Sequence, residues 1–294
     1  MPSPRPVQRP SGPLAPVVVG VATGLATVTA LGYGAYALPA LAWSAPLRNR
    51  LAPGLAGIGP DPSHVALTFD DGPDPRSTPV VLAELERLGW HATFFCLGSM
   101  TAAAPRLAAE VVAAGHEVAV HGFAHQGALR RGPARLTEDL VRARDTIAQA
   151  TGTEPRWYRP PSGECSAGTF IAAHRTGLRP VLWSAWGRDW RAEATPATVV
   201  ADLARGVLRG GTILLHDSDC TSAPGSWRTT VACLPLLAEH LASLGVSPGP
   251  LAEHGTDRPM PGGAAASGAA ASAPASGAAA SGAAASGAAA SAAA

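Results

Sequence analysis

Not one lysine occurs in this chain; all 22 basic side chains are arginine. That absence removes a phosphate-loop lysine, a Schiff-base or pyridoxal enzyme, and a kinase-type catalytic lysine. Charge is also scarce, at 15% of residues, and nearly cancels to +1. No basic cluster is dense enough for a nucleic-acid surface, so neither nucleic acid nor nucleotide is an expected partner. Only four cysteines are present, and none has the spacing of a cysteine-type zinc site. Cys96 sits in the apolar run Thr93–Leu97 and reads as a small buried hydrophobe. In an exported protein, Cys165 with Cys220 or Cys220 with Cys233 are the pairings left open.

Charge is missing altogether between Pro10 and Leu47, and Val17–Leu38 also lacks proline. Such a run reaches the ~20 residues that cross a bilayer, and it exceeds the roughly 7–15 of a secretory h-region. Residues 1–43 are therefore expected to form an N-terminal transmembrane helix, with a cleaved signal ending near Ala40-Leu41-Ala42 as the alternative. The first places the protein at the cell membrane with its body outside the cytoplasm, and the second secretes it. Arg5 and Arg9 before the run are balanced by Arg48 and Arg50 after it, so charge does not set the orientation. Residues 44–62 read as a Pro- and Gly-rich linker. Residues 251–294 read as an Ala/Ser/Gly-rich tail without the large side chains that offset ordering entropy. One domain, 63–250, is long enough to bury a full core.

Chemistry concentrates at Thr68-Phe69-Asp70-Asp71-Gly72-Pro73, where two adjacent carboxylates follow a strand-forming run. Neighbouring strand residues face opposite ways, but at a strand end both carboxylates can reach one pocket. His121 and His125 follow the strand-like Glu117–Val120 and are spaced to share one face of a helical turn, as two ligands of a metal do. With Asp71 they form a three-ligand N/O set with open positions, which suits zinc or a similar divalent transition metal better than calcium or magnesium. Three further segments stand where strands meet loops: Tyr158-Arg159-Pro160-Pro161-Ser162-Gly163, Gly187-Arg188-Asp189-Trp190 and Ile213-Leu214-Leu215-His216-Asp217.

Strand patterns at 64–69, 92–97, 117–121, 156–159, 180–184 and 212–216 alternate with helix patterns near 77–88, 103–114, 137–150, 167–177, 196–209 and 229–244. Alternation predicts an α/β fold with parallel strands, either a barrel or an open doubly wound sheet. The charged residues named above fall at C-terminal strand ends, where barrel enzymes build their sites.

The five motifs, in this order, resemble the polysaccharide deacetylase family of carbohydrate esterases (the NodB homology domain), over about residues 63–245. That resemblance implies a distorted (β/α) barrel with fewer than eight regular units. It implies Asp71, His121 and His125 as metal ligands, with zinc as the metal. Asp70 is then the general base toward water, held ionised and lowered in pKa by Arg159. His216 is the general acid toward the departing amine, oriented and raised in pKa by Asp189. The metal and the Ser162 backbone N–H stabilise the oxyanion. Leu214, on the same strand face as His216, joins Trp190 in a slot for the acetyl methyl.

Two positions depart from the commonest family pattern. Gly122 stands where many members carry Ser or Thr, and Ser162 where many carry an aromatic. Neither touches a ligand or a proton-transfer residue. Of the crowded tryptophans, Trp190 is assigned to the site, Trp227 to its rim and Trp183 to the core. His64, His91, His116, His174, His240 and His254 are assigned no site role. The expected activity is metal-dependent N-deacetylation of N-acetylhexosamine glycans, peptidoglycan or chitin-like oligosaccharide. Competing readings are an O-acetyl xylan esterase and a catalytically inactive glycan-binding protein.

Overall fold

The computed structural model describes residues 32–37 and 44–255. Most of the expected span Val17–Leu38, and the expected tail beyond residue 255, lie outside the described residues. Among the described residues no helix is long and apolar enough to cross a membrane.

Eight strands form one sheet: β1 His64–Asp70, β2 Thr93–Cys96, β3 Glu117–Val120, β4 Trp157–Tyr158, β5 Arg179–Pro180, β6 Ala185–Trp186, β7 Thr212–His216 and β8 Ser247–Gly249. They run in the order β5-β4-β3-β2-β1-β7-β6, with β8 paired to the start of β1, and every pairing is parallel. Among the described residues no ladder joins β5 to β6. The sheet is therefore a curled half-barrel rather than a closed one. Its covering helices include Thr78–Leu88, Pro105–Ala113, Pro133–Thr151, Ala167–Thr176, Pro196–Leu203 and Trp227–Leu244.

The pleat decides which side chains reach the interior. Val65, Leu67 and Phe69 of β1 join the main core with helix residues such as Leu85 and Leu140. Ala66, of opposite parity, joins an inner cluster with Phe95, Ala119 and Trp157. Parity then carries the same inner face forward to Asp70 on β1, to His121 just past β3, and to Leu214 and His216 on β7. Burial of apolar residues on one face thus aims the chemical residues on the other.

Several boundaries differ from the sequence reading. The expected strand 180–184 is only the pair Arg179–Pro180: the Val181 amide still reaches the Tyr158 carbonyl, but the Leu182 amide turns to the Leu55 carbonyl. The expected helix 196–209 stops at Leu203, and Gly206 packs so closely on Ala185 that a Cβ would lie 2.5 Å from its Cα. Segment 44–62, read as a linker, carries the helix Ala45–Leu51, whose Arg48 is buried and donates to the Trp183 carbonyl. At the other end Leu251 and His254, read as the start of a tail, are both buried.

Candidate active site

The strand β1 ends at Asp70, and Asp71 takes a left-handed φ of 83°. That reversal brings both carboxylates to one place: Asp71 Oδ1 lies 3.4 Å from His121 Nε2, and Asp70 Oδ2 lies 3.7 Å from the same nitrogen. His125 Nε2 stands 3.8 Å from Asp71 Oδ1. Ligand-capable atoms of Asp71, His121 and His125 all lie within 4.8 Å of one another.

The histidines do not share a helical turn. Residues 121–125 form an irregular loop beyond β3, and Gly122 at φ 89° turns the chain so that the imidazoles converge. The brace that a hydroxyl would give at position 122 comes instead from Asp139, whose Oδ2 accepts from the Phe123 amide at 3.0 Å. The Gly98 and Ser99 amides hold the Gly122 and Phe123 carbonyls from the other side.

Protonation chemistry at these three residues fits a cation. Burial drives His121 down to about 3, with His125 and Arg159 acting the same way and Asp71 opposing, so its imidazole is neutral. Its Nδ1 lies 2.8 Å from the Arg159 carbonyl, which fixes the proton there and leaves the Nε2 lone pair facing Asp71. Asp71 Oδ2 accepts from Thr221 at 2.6 Å, whereas the buried Oδ1 has no hydrogen-bond partner. A buried carboxylate oxygen without a donor, facing two imidazole nitrogens, is what a divalent cation would satisfy.

Asp70 and Arg159 form a buried pair. Arg159 is fully buried and donates to Asp70 Oδ1 at 2.7 Å, to Thr68 Oγ1 at 2.8 Å and to the Leu182 carbonyl at 2.8 Å. Its guanidinium also lies 4.0 Å from the centre of the Phe95 ring. Burial pushes Asp70 above its ordinary carboxylate value, and the attraction of Arg159 only partly offsets it. This corrects the expectation of a lowered pKa: desolvation outweighs the charge pair.

His216 faces the same space. Burial would lower its pKa, but Asp189, with Asp71 and Asp70, raises it to about 9. Asp189 is fully buried and is fixed by Thr230 Oγ1 at 2.7 Å. Its hold on the Nδ1 side leaves His216 Nε2 as the proton-bearing atom toward the cavity.

These groups open on a cavity of about 230 Å³ lined by Asp70, His121, His125, Ser162, Leu214 and His216, with Trp183, Trp186 and Trp190 as an aromatic wall. Ser162 sits exposed at φ 56° in the turn Pro161–Gly163. Every residue expected at the site borders this cavity or is bonded to one that does. Trp183, expected in the core, is buried in a cluster with Cys165, Leu182 and Leu214 and also forms part of the wall; Trp227, expected at the rim, does not line the cavity. All four cysteines are free, so neither of the pairings left open is formed.

The sequence reading missed Asp217, Thr221, Ser222 and Trp186. Thr221, Ser222 and Trp186 line the cavity. Asp217 accepts from the Gly72 amide at 3.0 Å and from Thr78, bracing the turn that carries Asp71. A Cβ on Gly72 would meet Asp217 Oδ2 at 2.0 Å, so glycine is needed there for close approach. Asp217 stood in view beside His216, but only its partners show its task.

Comparison with known proteins places these observations. A family model described as polysaccharide deacetylase matches residues 58–181. A peptidoglycan-N-acetylglucosamine deacetylase of Bacillus cereus is 35% identical over 155 residues, covering 52% of this chain and 72% of that protein. A chitooligosaccharide deacetylase of Bradyrhizobium sp. is 36% identical over 197 residues, covering 64% and 88%. Among solved structures, a family 4 carbohydrate esterase from Streptomyces lividans in complex with acetate superposes with a TM-score of 0.58 at 33% identity, covering 64% of this chain and 93% of that one.

Proposed function

The chain belongs to the polysaccharide deacetylase family, and from that premise we propose that it hydrolyses N-acetyl groups from N-acetylhexosamine glycans, releasing acetate. The observation that carries the proposal is the pairing of two buried proton-transfer groups across one cavity. Asp70 is held by Arg159 and His216 by Asp189, with Asp71, His121 and His125 beside them.

In the proposed reaction Asp70 takes a proton from water as its oxygen attacks the acetamide carbonyl carbon. The Ser162 backbone N–H stabilises the developing oxyanion. His216 Nε2 then gives its proton to the nitrogen as the C–N bond breaks, leaving a free amine and acetate. Asp189 keeps His216 in the donating tautomer. Leu214, Trp183 and Trp190 exclude water around the acetyl methyl. A divalent metal held by Asp71, His121 and His125, proposed as zinc, would supply Lewis-acid polarisation of the carbonyl.

The two relatives above are a peptidoglycan and a chitooligosaccharide deacetylase, and a cell-wall glycan is proposed as the substrate here. We also propose that Val17–Leu38 anchors the enzyme in the cell membrane, with the catalytic body outside the cytoplasm, where such a glycan lies. Acetate release by the metal-loaded protein from N-acetylglucosamine oligomers, against acetylated xylan, tests the activity. Release from xylan alone would replace the proposal with an O-acetyl esterase, and release from neither would leave a glycan-binding role.

A further inference from the structure

A second cavity, of about 350 Å³, lies against the aromatic wall of the first, and Trp183 and Trp186 line both. Outward from the catalytic histidine the rings form a continuous run. His216 and Trp190 are 5.8 Å apart edge-to-face, Trp190 and Trp186 stack at 4.6 Å, and the Arg188 guanidinium lies 5.5 Å from the Trp186 ring. Arg188 is exposed and lines this second cavity, and among the described residues no carboxylate pairs with it. The one carboxylate in the lining, Asp202, is already engaged by Arg191 at 3.1 Å and Arg205 at 2.6 Å. Arg48 adds a further positive charge to the same lining. Arg188 holds a left-handed φ of 51° while its neighbour Asp189 is fully buried on His216. One residue is thus turned to the acid and the next to the outer cavity.

We propose that the second cavity is a subsite for an acidic sugar of the glycan, with Arg188 binding its carboxylate and Trp186 carrying its ring. A planar guanidinium meets a carboxylate through two parallel hydrogen bonds, and an indole face covers the apolar face of a pyranose. A neutral N-acetylglucosamine oligomer has no carboxylate to offer. A glycan with lactyl-ether carboxylates on alternate sugars does, as does one with uronic acids. The inference rests on the deacetylase reading and narrows its substrate class to acidic N-acetylated glycans.

Wild type, Arg188→Ala and Arg188→Lys are compared for acetate release from four oligomers of equal length. These are neutral N-acetylglucosamine, the lactyl-carboxylate form, that form with its carboxylates amidated, and an N-acetylated uronate form. Wild type should prefer a carboxylate oligomer over the neutral one, and amidation or added salt should erase the preference. Arg188→Ala should cut the carboxylate-to-neutral ratio of kcat/KM by about 10- to 100-fold, through KM, the range for a hydrogen bond to a charged group. Arg188→Lys should restore part of it. The carboxylate arm that suffers more identifies the source of the acidic group. Equal losses on neutral and acidic oligomers, or an unchanged ratio, would overturn the subsite while leaving the deacetylase reading intact. If no oligomer releases acetate, that reading falls. Calorimetric binding of the carboxylate oligomers to wild type and Arg188→Ala then decides the subsite alone: weaker binding to the variant supports it, and equal binding overturns it.

Discussion

Asp189 accepts twice from His216, at Nδ1 (2.9 Å) and at the backbone amide (2.8 Å). One carboxylate thus fixes both the ring and the chain that carries it. His216 is raised to about 9, so the acid is protonated at neutral pH and the rate should fall as pH rises through about 9. Asp189→Asn removes the charge that raises it, and the alkaline limb should move to lower pH. A pH–rate profile checks this; an unmoved limb would mean that another group supplies the proton.

His216→Ala should slow N-deacetylation by about 10²–10⁴-fold, the span expected for loss of a general acid. An activated aryl acetate should suffer much less, because an aryloxide departs without a proton. Asp70→Asn should slow both substrates, since each needs activated water. Near-normal N-deacetylation by metal-loaded His216→Ala would remove the residue from that role.

Arg159→Ala leaves the Asp70 carboxylate buried without its partner, at 3% exposure. Stability should drop by about 3–5 kcal/mol, as for a broken buried ion pair. Chemical denaturation measures the loss, and a change below about 1 kcal/mol would mean that solvent reaches Asp70 freely.

Chelation should abolish activity, with zinc or cobalt restoring it. His125→Ala should weaken metal binding without unfolding the protein, because the side chain is 23% exposed and its loss leaves no buried bond broken. Metal content after dialysis, read beside the melting temperature, separates affinity from folding. Full activity in exhaustively demetallated protein would sink the metal assignment.

His116 is lowered from 6.5 to about 4, mainly by burial and further by His91, and its Nδ1 accepts from the Ala92 amide. Its depressed value means that the unfolded chain binds the proton more readily. The stabilisation is therefore present above about 6.5 and is lost as pH falls toward about 4. NMR should show this imidazole titrating near 4; titration near 6.5 would contradict it.

Much of the candidate site was legible because its residues occupy strand ends, where parity and turn chemistry both leave marks. Asp70, Leu214 and His216 could be placed on one face from the alternation of β1 and β7, whereas Asp71 joins them only through its left-handed turn past the strand end. The convergence of His121 and His125 was legible, but not its means, because i, i+4 spacing also suits a loop bent by a left-handed glycine. Trp183 was rightly read as core, but its second role was not legible, because burial and cavity lining look alike in a sequence: it is only 6% exposed and still walls the site. Asp70's direction of shift was missed because pairing is visible in a motif and desolvation is not. Arg48 escaped notice because its partner is a backbone carbonyl far along the chain, which no local pattern announces.

The half-barrel's margins β5 and β6 are each only two residues long, and the run between them and the start of β7 are tied to the segment before β1. Leu182 donates to the Leu55 carbonyl, Thr212 to that of Gly57, and Arg48 to that of Trp183. Unpaired sheet margins are templates for association with other chains, and short strands with a covering segment suppress it. Residues 44–57 are therefore expected to keep neighbouring molecules from pairing there edge to edge. A protein beginning at residue 58 should retain every side chain of the candidate site yet self-associate, its sedimentation shifting with concentration where that of a protein beginning at residue 44 does not.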